Sequence, residues 1–121
     1  MVVDTNIIIA CLKGEEGPVI GLSDAIRNGR ALFVSSITVA ETLALPTLTP
    51  SDIEKARGFL KHFISVPFDD TIAMLSAMLR RTYSIELPDA GIAATAIVRR
   101  VPLVTRDRQF RKIKEITVVE L

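Results

Sequence analysis

The sequence predicts an α/β fold of three layers, α/β/α, with helices covering both faces of a central, mostly parallel sheet. Three observations predict it. Short apolar runs alternate along the chain with segments of helical period. Each run is continuously apolar, as strands buried on both faces require. The length, 121 residues, suits one hydrophobic core, since a chain of this size buries roughly two-thirds of its unfolded surface. Residues 1–121 therefore read as one domain, with no repeat, linker or low-complexity tract.

The elements follow in order. Met1-Val2-Val3 is a short β run ending at Asp4, and Thr5 or Asn6 can cap a helix through Ile7, Ile8, Ile9 and Leu12. Gly14 and Gly17-Pro18 are expected to end it. A second helix runs from about Val19 to Arg27 and stops at Asn28-Gly29; Ala31 to Val34 is then a buried strand. Ser35-Ser36 caps a helix from Ile37 to about Leu45, closed by Pro46, and Ser51-x-x-Glu54 reads as a capping box for a helix through Phe63. Ile64 to Val66 is a third strand. Asp69 or Asp70 caps a helix with Ile72, Leu75, Met78 and Leu79 on one face, and Pro88 opens another that reaches about Arg99. Leu103 to Thr105 and Ile116 to Val119 close the chain as strands, with a short helical turn between them.

Composition excludes several classes. The chain is 49% hydrophobic and 24% charged with a formal net charge of +1, which rules out disorder and a binder of nucleic acid by global charge alone. Its single cysteine, Cys11, forms no internal disulfide and lacks zinc-ligand spacing, which fits a reducing compartment. The longest apolar stretch, Ala90 to Val98, is too short to cross a bilayer. A soluble, cytoplasmic protein without membrane contact is expected. The mean hydropathy of +0.38 is high for so small a chain, and apolar surface left outside the core predicts a homodimer or a tight complex. Charge is uneven: Arg80 to Lys114 carries a local +6, whereas Met1 to Leu79 carries −3.

Four carboxylates stand where local physics alone would not put them. Asp4 and Asp107 follow strands, at the edge where open α/β sheets hold their ligands. Glu41 has Ile37, Ala44 and Leu45 as its helical neighbours, which places it on an apolar stripe. Asp89 begins its helix with Ile92, Ala93, Ala96 and Ile97 on the same face. Each acid alone has a plainer use, as a helix cap for Asp4 or Asp107, a partner of the helix dipole for Asp89, or a neutralising neighbour for Glu41. Together they read as one acidic pocket. Ionised carboxylates gathered in a cleft need a cation, and an all-oxygen set suits Mg²⁺ or Mn²⁺. Such a site supports phosphodiester hydrolysis by activating water and neutralising the leaving oxygen. Arg106 and Arg108 flank Asp107, and Arg99 and Arg100 end the Asp89 helix, a plausible track for a nucleic-acid backbone.

The residues Val2 to Asn6 (Val-Val-Asp-Thr-Asn), Ser35 to Glu41 (Ser-Ser-Ile-Thr-Val-Ala-Glu), Leu87 to Ala96 (Leu-Pro-Asp-Ala-x-Ile-Ala-Ala-Thr-Ala) and Leu103 to Phe110 (Leu-Val-Thr-Arg-Asp-x-x-Phe) together resemble the PIN domain, in its short VapC-like form found in toxin–antitoxin pairs. The resemblance spans essentially the whole chain. It implies that Asp4, Glu41, Asp89 and Asp107 are the catalytic, metal-binding acids. It also implies that Thr5, Asn6 and Thr105 are supporting partners orienting carboxylates or water. A PIN-like parallel sheet, a metal-dependent endoribonuclease acting on RNA, a homodimer and inhibition by a cognate antitoxin protein are further implications. Alternatives remain at this point: a PIN-domain nuclease of ribosomal or transfer RNA maturation, and a catalytically silent domain that binds RNA or protein. Other chemistries fit poorly. A phosphatase using Asp4 as nucleophile wants an acid where Asn6 stands, His62 has no serine motif near it, and Gly14, Gly17 and Gly21 form no phosphate-cradling loop.

Overall fold

The fold was obtained as a computed structural model that describes all 121 residues. Five short strands, β1 (Val2–Val3), β2 (Phe33–Ser35), β3 (Ile64–Val66), β4 (Leu103–Val104) and β5 (Val118–Val119), form one sheet in the order β3-β2-β1-β4-β5. Every pairing is parallel, with Val2 opposite both Phe33 and Leu103. Six helices connect the strands: α1 (Thr5–Leu12), α2 (Glu16–Arg27), α3 (Ser36–Leu43), α4 (Pro50–Leu60), α5 (Asp70–Tyr83) and α6 (Leu87–Arg99). A 3₁₀ turn, Arg108–Lys112, is the helical connection before β5.

Two cores flank the sheet, and alternation along the strands divides them. Val2 and Leu103 point to one side, where Ile72, Leu79, Ile92, Ala93, Phe110 and Ile113 from α5, α6 and the last connection pack. Val3 and Val104 point to the other, against Ile7, Ile8, Leu22, Ala25, Leu60 and Phe63. The three-layer α/β architecture expected from the sequence is therefore the observed one. No helix is long and apolar enough to cross a membrane.

Several local expectations are corrected. Gly17 and Pro18 lie in the first turn of α2 instead of ending α1; proline is tolerated there because its missing N–H has no partner to lose. The capping box of α4 is Thr49 with Asp52, not Ser51 with Glu54, and Pro50 at the first helical position favours that frame. Asp4, not Thr5 or Asn6, caps α1, its Oδ1 accepting from the Thr5 amide at 2.7 Å. Strand β2 is displaced to Phe33–Ser35 because pairing with both β1 and β3 sets its register. On α5 the buried stripe is Ile72, Ser76 and Leu79, while Met78 is exposed.

Candidate metal centre

The strand order places the site. The chain runs outward from β1 through β2 to β3, then returns to lay β4 against the other side of β1. Connections leave in opposite directions from β1 and β4, and the crevice beyond their carboxyl ends is where sheets of this kind hold ligands. Asp4 directly follows β1, and Thr105 and Asp107 follow β4.

Asp4 is the buried member, 4% exposed. Its two oxygens are separately held: Oδ1 by the Thr5 amide and Oδ2 by the Thr105 hydroxyl, both at 2.7 Å. The cap role and the site role thus share one carboxylate. Burial pushes its pKa up to about 6, these two hydrogen bonds oppose the rise, and the charges of Asp89 and Asp107 add to it. Thr105 also accepts from the Asp107 amide at 3.0 Å, tying the two acids together through one hydroxyl. Asp107 in turn caps the 3₁₀ turn through the Gln109 amide.

Glu41 reaches the crevice because α3 starts at the end of β2, where Ser35 caps it by accepting from the Ile37 amide. The Thr5 hydroxyl lies 2.7 Å from Glu41 Oε1 and 3.0 Å from the Thr38 hydroxyl. The apolar stripe expected around Glu41 is corrected: α3 buries Thr38 and Thr42, and Glu41 itself is exposed. At about 100° per residue Glu41 falls well to the side of the Thr38–Thr42 line, so it borders the crevice instead of lying beneath the helix.

Asp89 occupies the first turn of α6, half-buried; of the expected face Ile92, Ala93 and Ala96 are buried and Ile97 partly so, but burial is not confined to one face, since every residue from Ala90 to Ala96 is buried. Burial raises its pKa, and the charges of Asp107, Glu41 and Glu86 raise it further. Side chains from outside α6 pack onto it at Gly91: a β-carbon there would meet Ile37 Cδ1 of α3, the movable end of its side chain, and press on the Phe68 ring.

The four acids therefore border one crevice, where Asp4 feels the charges of Asp89 and Asp107 and Asp89 those of Asp107 and Glu41, but none joins any of the four ion pairs of the fold. No three of the chain's Asp, Glu, His or Cys side chains stand close enough to grip one ion directly. The expectation of a tightly converged pocket is corrected to an open set with one buried acid and three at its rim. Such a set still suits a hard cation that keeps several waters and takes only one or two carboxylates directly. All the donors are oxygens, no cation balances them, and Asn6 Oδ1, in the first turn of α1, is buried with no hydrogen-bond partner.

The four arginines separate. Arg108 begins the 3₁₀ turn beside Asp107, exposed and in no ion pair. Arg106 pairs with Glu15 at 2.7 Å, tying the end of β4 to the α1–α2 connection. Arg99 and Arg100 are not beside the acids. They close α6 roughly 15 Å along the helix from Asp89, and the Arg99 guanidinium lies 4.9 Å from the centre of the Phe33 ring, at the start of β2. A helix returning antiparallel to the sheet puts its first turn at one edge and its last at the other. Sequence reasoning missed Thr38, Glu86 and the role of Gly91; the spacing of Thr38 three residues before Glu41 was the visible signal for the first.

The PIN domain family matches residues 1–116. Ribonuclease VapC19 of Mycobacterium tuberculosis is 30% identical over 108 residues, which is 85% of each chain. A toxin–antitoxin complex from Klebsiella pneumoniae contains a chain 30% identical with a TM-score of 0.81, covering 98% of this chain and 94% of that one. VapBC2 from Rickettsia felis, solved bound to a promoter DNA fragment, shares the fold with a TM-score of 0.86 at 22% identity, covering 99% and 97%. The order of the sheet, the acids at its switch point and these likenesses agree: the chain belongs to the PIN-domain family, in its VapC-like form.

Proposed function

We propose that this chain is a divalent-metal-dependent endoribonuclease, the toxin of a toxin–antitoxin pair, with Mg²⁺ or Mn²⁺ as its cofactor. The observation that carries the proposal is the set of four carboxylates at the β1–β4 crevice, one of them buried, with no basic side chain paired to any of them. Asp4, Glu41, Asp89 and Asp107 would hold the cation. When bound, it supplies charge to the scissile phosphate and acidifies an attacking water.

The chain's own residues supply preorganisation. Thr105 and the Thr5 amide pin both oxygens of Asp4, and Thr5 pins Glu41, so these carboxylates need little rearrangement during reaction. None of the fold's five cavities is lined by any of the four acids. An open rim admits a polymer backbone better than a small molecule, and Arg108 offers it a cation beside Asp107. RNA as the polymer is supported by the ribonuclease named among the relatives.

A cognate antitoxin is supported by the toxin–antitoxin complexes among the structural neighbours. An apolar groove of about 420 Å³, lined by Cys11, Val19, Leu22, Ile26, Phe59 and Phe63 among others, is consistent with a protein partner. Met74 and Met78 on the outer face of α5 are consistent with a homodimer.

The test is cleavage of labelled structured RNA and matched DNA with Mg²⁺ or Mn²⁺, beside EDTA and Asp4→Asn controls. Cutting of RNA that both controls abolish is expected. RNA bound but uncut by protein free of any co-purified inhibitor would replace the proposal with a silent binding domain.

A further inference from the structure

We propose that Thr38 is a positioning residue for the metal centre, acting through Thr5 on Glu41; this rests on the metal-dependent reading above. Thr38 lies in the first turn of α3 and is fully buried, at 0% exposure. The hydroxyl of Thr5 is its one hydrogen-bond partner, at 3.0 Å. Thr5 Oγ1 is also 2.7 Å from Glu41 Oε1.

Proton counting orders this chain. A threonine hydroxyl has one proton to donate and lone pairs to accept with, whereas a carboxylate offers acceptors only. The Thr5 proton is therefore directed to Glu41, and the contact with Thr38 is made by the Thr38 proton directed to Thr5 Oγ1. With its oxygen engaged by that donor, Thr5 is held in the rotation that serves Glu41. Hydrogen bonds in series inside a low-dielectric interior also strengthen one another. Glu41 needs this support more than Asp4 does. Asp4 is held at both oxygens, while Glu41 sits on an exposed side chain with the Thr5 hydroxyl as its one hydrogen-bond donor. Thr38 thus relates to Glu41 as an outer support relates to a ligand, one bond further out, and outer supports commonly set the affinity of a metal site.

The alternative is that the Thr5–Thr38 bond merely fastens α1 to α3. The two roles separate in a double-mutant cycle read by Mn²⁺ affinity, measured on metal-free protein by electron paramagnetic resonance, with thermal unfolding of every variant alongside. Thr5→Val is expected to weaken Mn²⁺ binding by about 10- to 100-fold, the range for a direct support of a ligand. Thr38→Val, which keeps shape and removes the hydroxyl, is expected to weaken it by roughly 3- to 10-fold, one bond further from the ligand. Thr38→Ser should bind within about two-fold of the native protein, and the double Val variant no more weakly than Thr5→Val alone, the non-additivity expected of residues in one network.

Native affinity in Thr38→Val, failure of Thr38→Ser to rescue, or independent losses in the double variant would each overturn the assignment. Should Thr38→Val fail to fold, Thr38→Ala against Thr38→Ser makes the same comparison. Equal Mn²⁺ binding by native protein and Asp4→Asn is a different failure: it would remove the metal centre itself, and the role of Thr38 with it.

Discussion

Asp4→Asn should make the metal-free protein more stable while destroying its proposed activity. Asp4 is buried, and its folded-state pKa of about 6 stands above the ordinary 3.8 of the exposed group. An acid whose pKa is raised by folding stabilises fully below its unfolded value, and that contribution is lost as pH rises through the folded value. At pH 7.5 the ionised carboxylate therefore costs the fold about 3 kcal/mol relative to its protonated form, and at pH 4.5 about 1 kcal/mol. Asparagine removes the charge and keeps an oxygen for the Thr5 amide, while the Thr105 hydroxyl can turn to accept from the new amide group. Without metal, the variant should gain about 1 to 3 kcal/mol at pH 7.5, falling to about 1 kcal/mol or less at pH 4.5. Urea unfolding in EDTA across that range measures it, and Mg²⁺ should narrow the difference by stabilising only the native protein. A variant no more stable than the native chain at pH 7.5, or an advantage that fails to shrink on acidification, would refute burial as the origin of the raised pKa.

Thr105→Val removes the hydroxyl that holds Asp4 Oδ2 and lowers its pKa; carboxyl titration by NMR in the metal-free protein should show Asp4 ionising at higher pH than in the native chain. Arg99→Ala and Arg100→Ala should leave RNA cleavage within about two-fold, while Arg108→Ala raises KM with a smaller change in kcat, as removal of a positioning phosphate contact does; steady-state kinetics on one labelled RNA separates them. Arg99→Ala should also cost roughly 0.5–1 kcal/mol of stability through its lost contact with Phe33, visible in urea unfolding. Gly91→Ala should change stability by no more than about 1 kcal/mol, because alanine's better helix propensity inside α6 offsets the shift of the Ile37 side-chain end and the Phe68 ring that the methyl group requires; calorimetry measures it, and a loss above about 2 kcal/mol would show that neither side chain can yield.

Local chemistry made much of this protein legible in its sequence. Continuous apolar runs such as Val2-Val3 and Leu103-Val104 signal burial on both faces, and both faces are covered. Asp4 and Asp107 stand just beyond such runs, so their place at the carboxyl edge follows from the strand assignment. Pro88 and Asp69 mark helix starts by rules that act within one turn. Nearby signals also compete, and there the reading slipped: Thr49 outranked Ser51 as a cap, and Gly17-Pro18 opened a helix where a break was expected.

Features that depend on groups far apart in the chain were illegible before the fold was known. The pairing of Thr105 with Asp4 spans 101 residues and that of Thr5 with Glu41 spans 36; no local rule encodes either. Glu41 was read as buried because its helical neighbours are apolar, yet the side of α3 that faces inward was set by contact with α1 and α6, and that choice buried Thr38 and Thr42. The sequence puts Arg99 and Arg100 on one track with Arg106 and Arg108, but a helix carries its two ends to opposite edges of the sheet. The layers and the acids to watch are encoded locally, because propensity, capping and burial act within a few residues. Packing between distant elements decided which acid is buried, which hydroxyl holds it and which arginine lies near.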